Sequence, residues 1–521
     1  MKTSFTHNYL QIYEQALAEL KAVSPTKDSA ISLKHKAVLA LARAGALDFA
    51  RAEYERYGLD QIADNEDVIA LSGRLFKDAA LRVSGKKRQA LAQQSADAYE
   101  AAFSSTGGYY SAINAATMML LGGANQDDIT ARASAVIDML PAISSVTKED
   151  VYFVKATHAE AELLRENHNL AARYLRSAVA HDPLNYTAHA STLRQFKMIL
   201  EARGESTTWL SDFTPPKAMH FAGHMFQISD KQAARSLNAA AVAGLRVEIS
   251  DALQRADIGF GFGALAAGAD ILIAETLLEE GGELHVVLPT QPDIFKAASV
   301  SQHGGDWGQR FDDCLDRASS LHIAQSGKNW PNSSVAEYAS QIAMGFACMQ
   351  ANLLSSQSTQ LLIWDGEAPN GNIGTGFDAA IWDRTSNEQI IIPYPADRKL
   401  GPSATIPPSD DRLAVVIVGP DGVQSVDDPR AAADMLLAST RQVSTSATFG
   451  AHFGPVSLSL TDDEIEIAKS AQESALPGTA YISEAFAAVL CAFHKGNYRM
   501  DFAGLSGNGD RLFSLQSAGQ T

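Results

Sequence analysis

The stretch Gly261-Phe-Gly-Ala-Leu-Ala-Ala-Gly-Ala-Asp270, continued by Ile271-Leu-Ile-Ala-Glu-Thr-Leu-Leu-Glu-Glu280 and Gly281-Gly-Glu-Leu-His-Val-Val-Leu-Pro289, decides how the chain is read. A glycine-bearing turn leads into an amphipathic helix, Gly281-Gly282 stops it, and an apolar strand follows that ends at a proline. Turn, helix, stop and strand predict an α/β crossover of the doubly wound kind, in which ligands lie beyond the carboxyl ends of the strands. A strand that turns sharply into a helix offers free N–H groups and a positive dipole end. Anions, phosphate above all, bind there without a basic side chain.

A second turn, Gly371-Asn-Ile-Gly-Thr-Gly-Phe-Asp378, repeats the pattern. Before it Gln360-Leu-Leu-Ile-Trp-Asp365 reads as a buried strand, with Gly366 at its exit, and after it Phe377-Asp-Ala-Ala-Ile-Trp382 reads as a helix. Gly374 and Gly376 would let a ligand approach the main chain and Thr375 would offer it a hydroxyl; Gly261, Gly263 and Gly268 would do the same in the first turn, with Asp270 at its end. Met219-His-Phe-Ala-Gly-His-Met225 predicts the first strand, bringing Gly223 and His224 to the same carboxyl edge. Gly304-Gly-Asp-Trp-Gly-Gln-Arg310 supplies an indole, Trp307, to stack a base and a guanidinium, Arg310, to hold a phosphate. Each feature also has a structural reading: a solvent loop, a packed corner, or, for His224, a hydrogen bond to backbone. Glu275 stands five positions from Asp270, so one helix face cannot bring both to a pocket, and Asp270 is the better candidate.

These two turns and the strand Leu284-His-Val-Val-Leu-Pro289 resemble the SLOG superfamily of Rossmann-like domains, which includes DNA-processing protein A and the lonely-guy phosphoribohydrolases. The resemblance covers about residues 217–395 and implies a nucleotide-binding domain. The family's second loop is written Pro-Gly-Gly-x-Gly-Thr-x-x-Glu. Here Asn370-Gly-Asn372 replaces the Pro-Gly-Gly, and the catalytic glutamate falls on Asp378, one methylene shorter. Glycosidic cleavage tolerates a misplaced carboxylate poorly, so the resemblance supports binding better than hydrolysis. In the hydrolytic alternative Asp378 or Glu275 would be the acid/base.

Composition bounds the partners. The 521 residues carry 42 Lys and Arg against 60 Asp and Glu, a net charge of -18. This argues against a nucleic-acid backbone or an anionic membrane as the main partner, while a pocket lined by N–H groups still admits a small anionic nucleotide. The three cysteines, Cys314, Cys348 and Cys491, have neither metal-ligand nor disulfide spacing, so no metal is expected and a reducing cytoplasm is. The amino terminus lacks a signal-like apolar core, and Ile342–Leu354 falls short of the roughly 20 apolar residues that cross a bilayer.

Alanine-rich helical runs fill residues 1–208, for example His35 through Ala46 to Tyr54, and Leu170–Ala180 before Asp182-Pro183. They predict stacked helical hairpins, an α-solenoid with a protein-binding concave face. The Asp-Pro-Leu-Asn turn resembles tetratricopeptide repeats in degenerate form. Gly107-Gly-Tyr-Tyr-Ser-Ala-Ile-Asn-Ala-Ala116 resembles the TRAF-binding region of apoptosis-signal-regulating kinases over about residues 30–205. Tyr109, Tyr110 and Asn114 are candidate groove residues, and the alternative is that the array packs only on its own neighbours.

Linkers are expected at Arg203-Gly-Glu-Ser-Thr-Thr with Pro215-Pro216, and at Pro395–Asp410. The last unit, 410–521, reads strand, helix, strand, helix, then Ala480–Ser483, helix and two strands. His452-Phe-Gly-Pro-Val456 and Leu476-Pro-Gly-Thr-Ala-Tyr-Ile-Ser-Glu484 resemble the carboxyl-terminal half of class III nucleotide cyclases. The resemblance puts Glu466 at the family's asparagine, Ser470 at its arginine, and leaves Asp421 as a metal-ligand candidate. Two-metal phosphoryl chemistry then lacks its parts, and a cyclase remnant is expected.

The expected whole is a multidomain α and α/β chain: solenoid 1–208, doubly wound Rossmann-like domain 217–395, cyclase-like remnant 410–521. Three functions remain open. One is a sensor of a nucleotide or cyclic (oligo)nucleotide messenger, of the kind found in bacterial signalling and defence, passing the event to a protein partner through the solenoid or to a homo-oligomer. The others are a nucleoside-monophosphate N-glycosidase and a scaffold with a vestigial pocket.

Overall fold

A computed structural model describes residues 9–22, 27–228, 236–324, 332–367, 371, 373–393, 409–442, 447–457 and 459–518. The linker expected at 395–410 lies almost wholly outside them. Ten helices open the chain: α1 (Tyr9–Ala22), α2 (Lys27–Arg43), α3 (Leu47–Arg56), α4 (Glu66–Ala80), α5 (Gly85–Thr106), α6 (Tyr109–Gly122), α7 (Gln126–Met139), α8 (Lys148–Leu164), α9 (His168–His181) and α10 (Tyr186–Arg203). Successive helices from α1 to α9 pack on each other and α10 packs on α8 and α6, as in a tetratricopeptide-like solenoid. Small residues set the spacing: a Cβ on Gly73 of α4 would come 2.9 Å from the ring of Tyr99 on α5. In the first expected linker, residues 205–207 and 214–216 are irregular. Between them Thr208–Phe213 is a 3-10 helix whose Leu210 and Phe213 are buried in the last solenoid core, because their apolar side chains have α10 to pack on.

The first α/β unit contains β1 (Lys217–Gly223), the short parallel pair β2 (Gln227–Ile228) and β3 (Ser236–Leu237), α11 (Ala239–Arg255), β4 (Ile258–Gly263), α12 (Ala269–Glu279) and β5 (Glu283–Leu288). It continues through α13 (Pro292–Ser299), α14 (Trp307–Arg317), β6 (Ser320–Ile323), α15 (Ser333–Leu353), β7 (Ser358–Trp364), α16 (Thr375–Asp383) and β8 (Glu388–Pro393). Its sheet is wholly parallel, in the order β6-β5-β4-β1-β7-β8. The chain builds outward from β1 to β6, then crosses back to β7, so the strand order reverses beside β1. That reversal opens a crevice at the carboxyl edge. Along β1 the faces alternate: Met219 and Phe221 join the core with α11, α12 and α14, while Ala218 joins the one with α15.

The second α/β unit is β9 (Arg412–Gly419), β10 (Gly422–Val426), α17 (Pro429–Gln442), β11 (Phe449–Val456), α18 (Asp462–Ser474), β12 (Ala480–Ser483), α19 (Glu484–Phe493), β13 (Tyr498–Leu505) and β14 (Arg511–Ser517). Its sheet order is β10-β9-β11-β12-β14-β13, antiparallel except between β11 and β12. Val415 and Ile417 face a core shared with α17, α19 and α15; Ala414 and Val416 face α18.

Helix α15 therefore belongs to both units, lying on β1, β4 and β7 with one side and on α19, β9 and β11 with another. At its crossing with α19, a Cβ on Gly345 would come 2.5 Å from the backbone of Ala488, so only glycine permits this approach. The solenoid closes on the second unit as well. Helices α1 to α3 share a buried cluster with Tyr481, Ala503 and Leu512, and Gln516 Nε2 donates to the Gly45 carbonyl at 2.8 Å.

Candidate functional site

A cavity of about 210 Å³ opens beyond the carboxyl ends of β1, β4 and β5, between the amino-terminal ends of α12 and α16 and under α15. Gly223 ends β1 on its wall, where a Cβ would overlap Ala269 at 2.4 Å. Both helices start at a glycine with positive φ, Gly268 at 114° and Gly374 at 92°, and neither has a side-chain cap. A β-branched or bulky residue could not take these turns without strain. The first N–H of α12, that of Ala269, donates to the His224 carbonyl at 3.1 Å. Two helix ends without side-chain caps on one cavity make it locally positive despite the acidic chain.

Two carboxyl groups stand at these ends. Asp270 is 6% exposed and Asp378 8%. Burial pushes the Asp270 carboxyl up to about 8, against the pull of the Ala266 N–H and with a further push from the charge on Asp378. Its Oδ2 accepts from Ala266 N at 3.2 Å, bracing the loop, while Oδ1 has no well-formed hydrogen bond, although the Gly223 N–H pulls on the carboxyl. Burial likewise pushes Asp378 up to about 7, opposed by the hydroxyl of Ser340, which donates to Oδ1. At neutral pH Asp270 is then mostly protonated and Asp378 about half so, and a protonated carboxyl can act as a donor.

Behind them runs a buried polar chain. Gln389 Nε2 donates to Gln360 Oε1 at 2.7 Å, and Gln360 Nε2 donates to His220 Nδ1 at 2.9 Å and to the Asp378 carbonyl at 3.2 Å. Burial drives the His220 imidazole down to about 3, so it stays neutral, its remaining proton on Nε2. This chain of side chains, running from edge strand β8 through β7 to β1, holds the cavity floor in one arrangement.

Of the residues singled out in the sequence, Gly223, Asp270, Gly374, Thr375 and Asp378 line this cavity. Gly268 shapes it through the turn, since a Cβ there would meet Phe226 N at 2.6 Å. Gly376 is the second residue of α16 and lies outside the lining. His224 and Asp365 end neighbouring strands but turn to each other, Nε2 to Oδ1 at 3.1 Å, and Gly366 follows with φ of 83°. Burial would raise the Asp365 carboxyl, but the Glu367 N–H and His224 together hold it below its usual value.

Five of the candidates are used by the fold instead of the cavity. Glu275 faces away from the cavity and receives Arg310 Nε and Nη2 at 2.7 and 2.6 Å and Arg246 Nη1 at 2.7 Å, clamping α11, α12 and α14. Arg310 is thereby used, and its guanidinium stacks 4.2 Å from Trp307. Trp307 is 1% exposed and meets Phe226 edge-on, so it fills a core where a base cannot reach. Gly261 and Gly263 serve close packing: their Cβ atoms would meet Leu277 at 2.6 Å and the Phe221 carbonyl at 2.5 Å. Missed in the sequence were Ser340 and His220. Ser340 comes from a helix with no turn motif, and His220 sits mid-strand; only its placement among apolar neighbours marked it.

In the solenoid, Asn114 accepts from Lys77 Nζ at 3.1 Å, which also donates to Gln195 at 3.1 Å; Gln195 and Thr117 in turn donate to Glu160. The network ties α4, α6, α8 and α10, and Tyr110 beside it is 59% exposed. In the second unit Glu466 accepts from Asn508, Ser470 is buried, and Asp421 stands in the β9–β10 turn. Among the described residues no group of three or more His, Cys, Asp or Glu is placed to hold a metal ion. Nor, among them, is any helix long and apolar enough to cross a membrane.

Comparison with known proteins adds one family match: the Tetratricopeptide Repeats-Sensor family matches residues 12–119. Among solved structures, Haemophilus influenzae LpoA in a monoclinic form is similar at 12% identity over 74% of this chain and 71% of that chain, with a TM-score of 0.17, too low to carry an argument. No curated protein matches.

Proposed function

We propose that the chain is a sensor whose carboxyl-edge cavity binds a nucleotide or nucleotide-derived messenger, and whose solenoid passes the event to a protein partner. The observation that carries this reading is the convergence of two helix ends without side-chain caps, at Gly268 and Gly374, on one cavity with two buried aspartates whose carboxyls are pushed up to about 8 and about 7. Helix-end N–H groups attract a phosphate, and neutral acids add donors where ionised ones would repel it. Ligand pockets usually span about 300–1,000 Å³. At 210 Å³ this one suits a ribose phosphate or a base, with the rest of the ligand reaching outward. The repeat-sensor match over residues 12–119 agrees with a sensing role.

Calorimetry with nucleoside monophosphates, cyclic mononucleotides and cyclic dinucleotides at pH 6.5 and 8.5 tests it. One class is expected to bind, with affinity falling as pH rises through 7 to 8, by up to about tenfold per pH unit for each aspartate proton lost. If no nucleotide binds or raises the melting temperature, the scaffold reading replaces it.

The hydrolytic reading has one specific support: a carboxyl near 7 is poised for acid/base work at neutral pH. Release of free base from a nucleoside monophosphate, lost in Asp378→Asn, would establish it. Glu275, held by two arginines, has no part in that reading.

A further inference from the structure

We propose a second ligand site, independent of the first: the cleft between α10, the end of α15 and the turn after α19 binds a multiply phosphorylated anion. The cleft, about 840 Å³, lies at the amino-terminal edge of the parallel sheet, the opposite end from the aspartate cavity. Five cations line it: Arg194 and Lys197 from the solenoid, Lys217 and Arg255 from the first α/β unit, and Lys495 from the second. Asp257 is the sole acid in that lining. In a chain with 60 acidic and 42 basic residues, five cations to one acid is a strong local reversal.

The charges are only partly answered. Lys217 pairs with Glu388 at 2.8 Å, and Lys197 reaches Glu201 at 3.7 Å on an exposed helix surface, a pair of little worth. Arg194 donates to the Leu353 carbonyl at 2.9 Å and to Ser355 Oγ at 3.2 Å, and Arg255 to the Asp251 carbonyl at 3.0 Å. The carboxyl-terminal ends of α11 and α15 supply only about half a negative charge each, against Arg194, Arg255 and Lys495.

The lining also fixes the ligand's class. Ser211, Thr214 and Ser356 already donate to backbone carbonyls, and no aromatic side chain is present in it to stack a base. Recognition is left to charges spread across a wide cleft, which favours a chain of phosphates over a single one. Because the cations come from three units, such a ligand would also staple them together.

Calorimetry and thermal unfolding of the full chain with sodium tripolyphosphate, orthophosphate and ATP at fixed ionic strength test the site. Tripolyphosphate is expected to raise the melting temperature and to bind at least about tenfold more tightly than orthophosphate, weakening steeply with salt. Arg255→Gln with Lys495→Gln should cost about tenfold or more, and so, to a lesser degree, should Lys495→Glu alone, which alters an exposed turn. Asp378→Asn should leave tripolyphosphate binding unchanged. ATP binding as tightly as tripolyphosphate supports a nucleotide's phosphate chain as the source; ATP failing to bind supports an inorganic chain. Equal binding of ortho- and tripolyphosphate, indifference to both charge variants, loss in Asp378→Asn, or tighter binding of a single-stranded oligonucleotide would each overturn the proposal. Failure of the aspartate cavity to bind nucleotides would leave it standing.

Discussion

Asp378 keeps its proton up to near neutrality because α15 and the floor strands exclude water from it and its hydrogen bond comes from one hydroxyl, Ser340. Its carboxyl has an ordinary value of 3.8 when the chain unfolds and about 7 when it is folded. The folded state therefore binds more protons between these values. The stability this gives is fully present below about 4 and is lost as pH rises through 7, an effect of about 4 kcal/mol at most. Asp378→Asn keeps the size of the side chain and its acceptor but cannot ionise. Urea unfolding at pH 5 and pH 8.5 should show the wild type losing stability with pH and the variant losing less. The variant still carries Asp270, which continues its own loss up to about 8. At this scale Gly223, Gly374, Thr375, Asp270 and Asp378 were legible because turn chemistry is local. For Trp307 and Arg310 the sequence left a ligand contact and a packed corner both open, and for Glu275 it favoured a place off the pocket, because a side chain's type does not say which neighbours will use it.

Helix α15 was unread as an element: its sequence, Ser-Ser-Val-Ala-Glu-Tyr-Ala-Ser-Gln-Ile-Ala-Met-Gly-Phe-Ala-Cys-Met-Gln-Ala-Asn-Leu, has apolar or small residues on more than one side. That pattern belongs to a helix buried between two layers, and it carries Ser340 to the aspartate cavity and Gly345 to α19. The crossing gives a contrast between two glycines. Gly345→Leu must push α15 and α19 apart and should destabilise by about 1–3 kcal/mol or more, with coupled loss of nucleotide affinity because Ser340 shifts with its helix. Gly244, inside α11, would place a Cβ in open space, so Gly244→Ala should stabilise by about 0.5–1 kcal/mol and leave binding alone. Denaturant midpoints read both.

The units are joined through their cores. Val287 of the first sheet and Tyr338 and Ile342 of α15 share one cluster with Val415, Phe453 and Phe486; Tyr481 and Leu512 are covered by α1 to α3. Unfolding should then be a single transition, with fluorescence and far-UV dichroism midpoints coinciding. A chain shortened to begin at Asn65 uncovers Tyr481 and Leu512, both fully buried, at about 1.5–3 kcal/mol each. It should unfold at lower denaturant and bind a hydrophobic dye; an unchanged midpoint would refute the shared core. The sequence by itself determined the succession of elements, the helical array, the glycine turns and the two aspartates, since caps, stops and hydrophobic period act over a few residues. Only the tertiary structure decided that the two turns meet on one cavity, that α15 serves two sheets, and that cations from three units gather in one cleft. Those facts depend on contacts between residues up to hundreds of positions apart, which burial and packing select and no local pattern encodes.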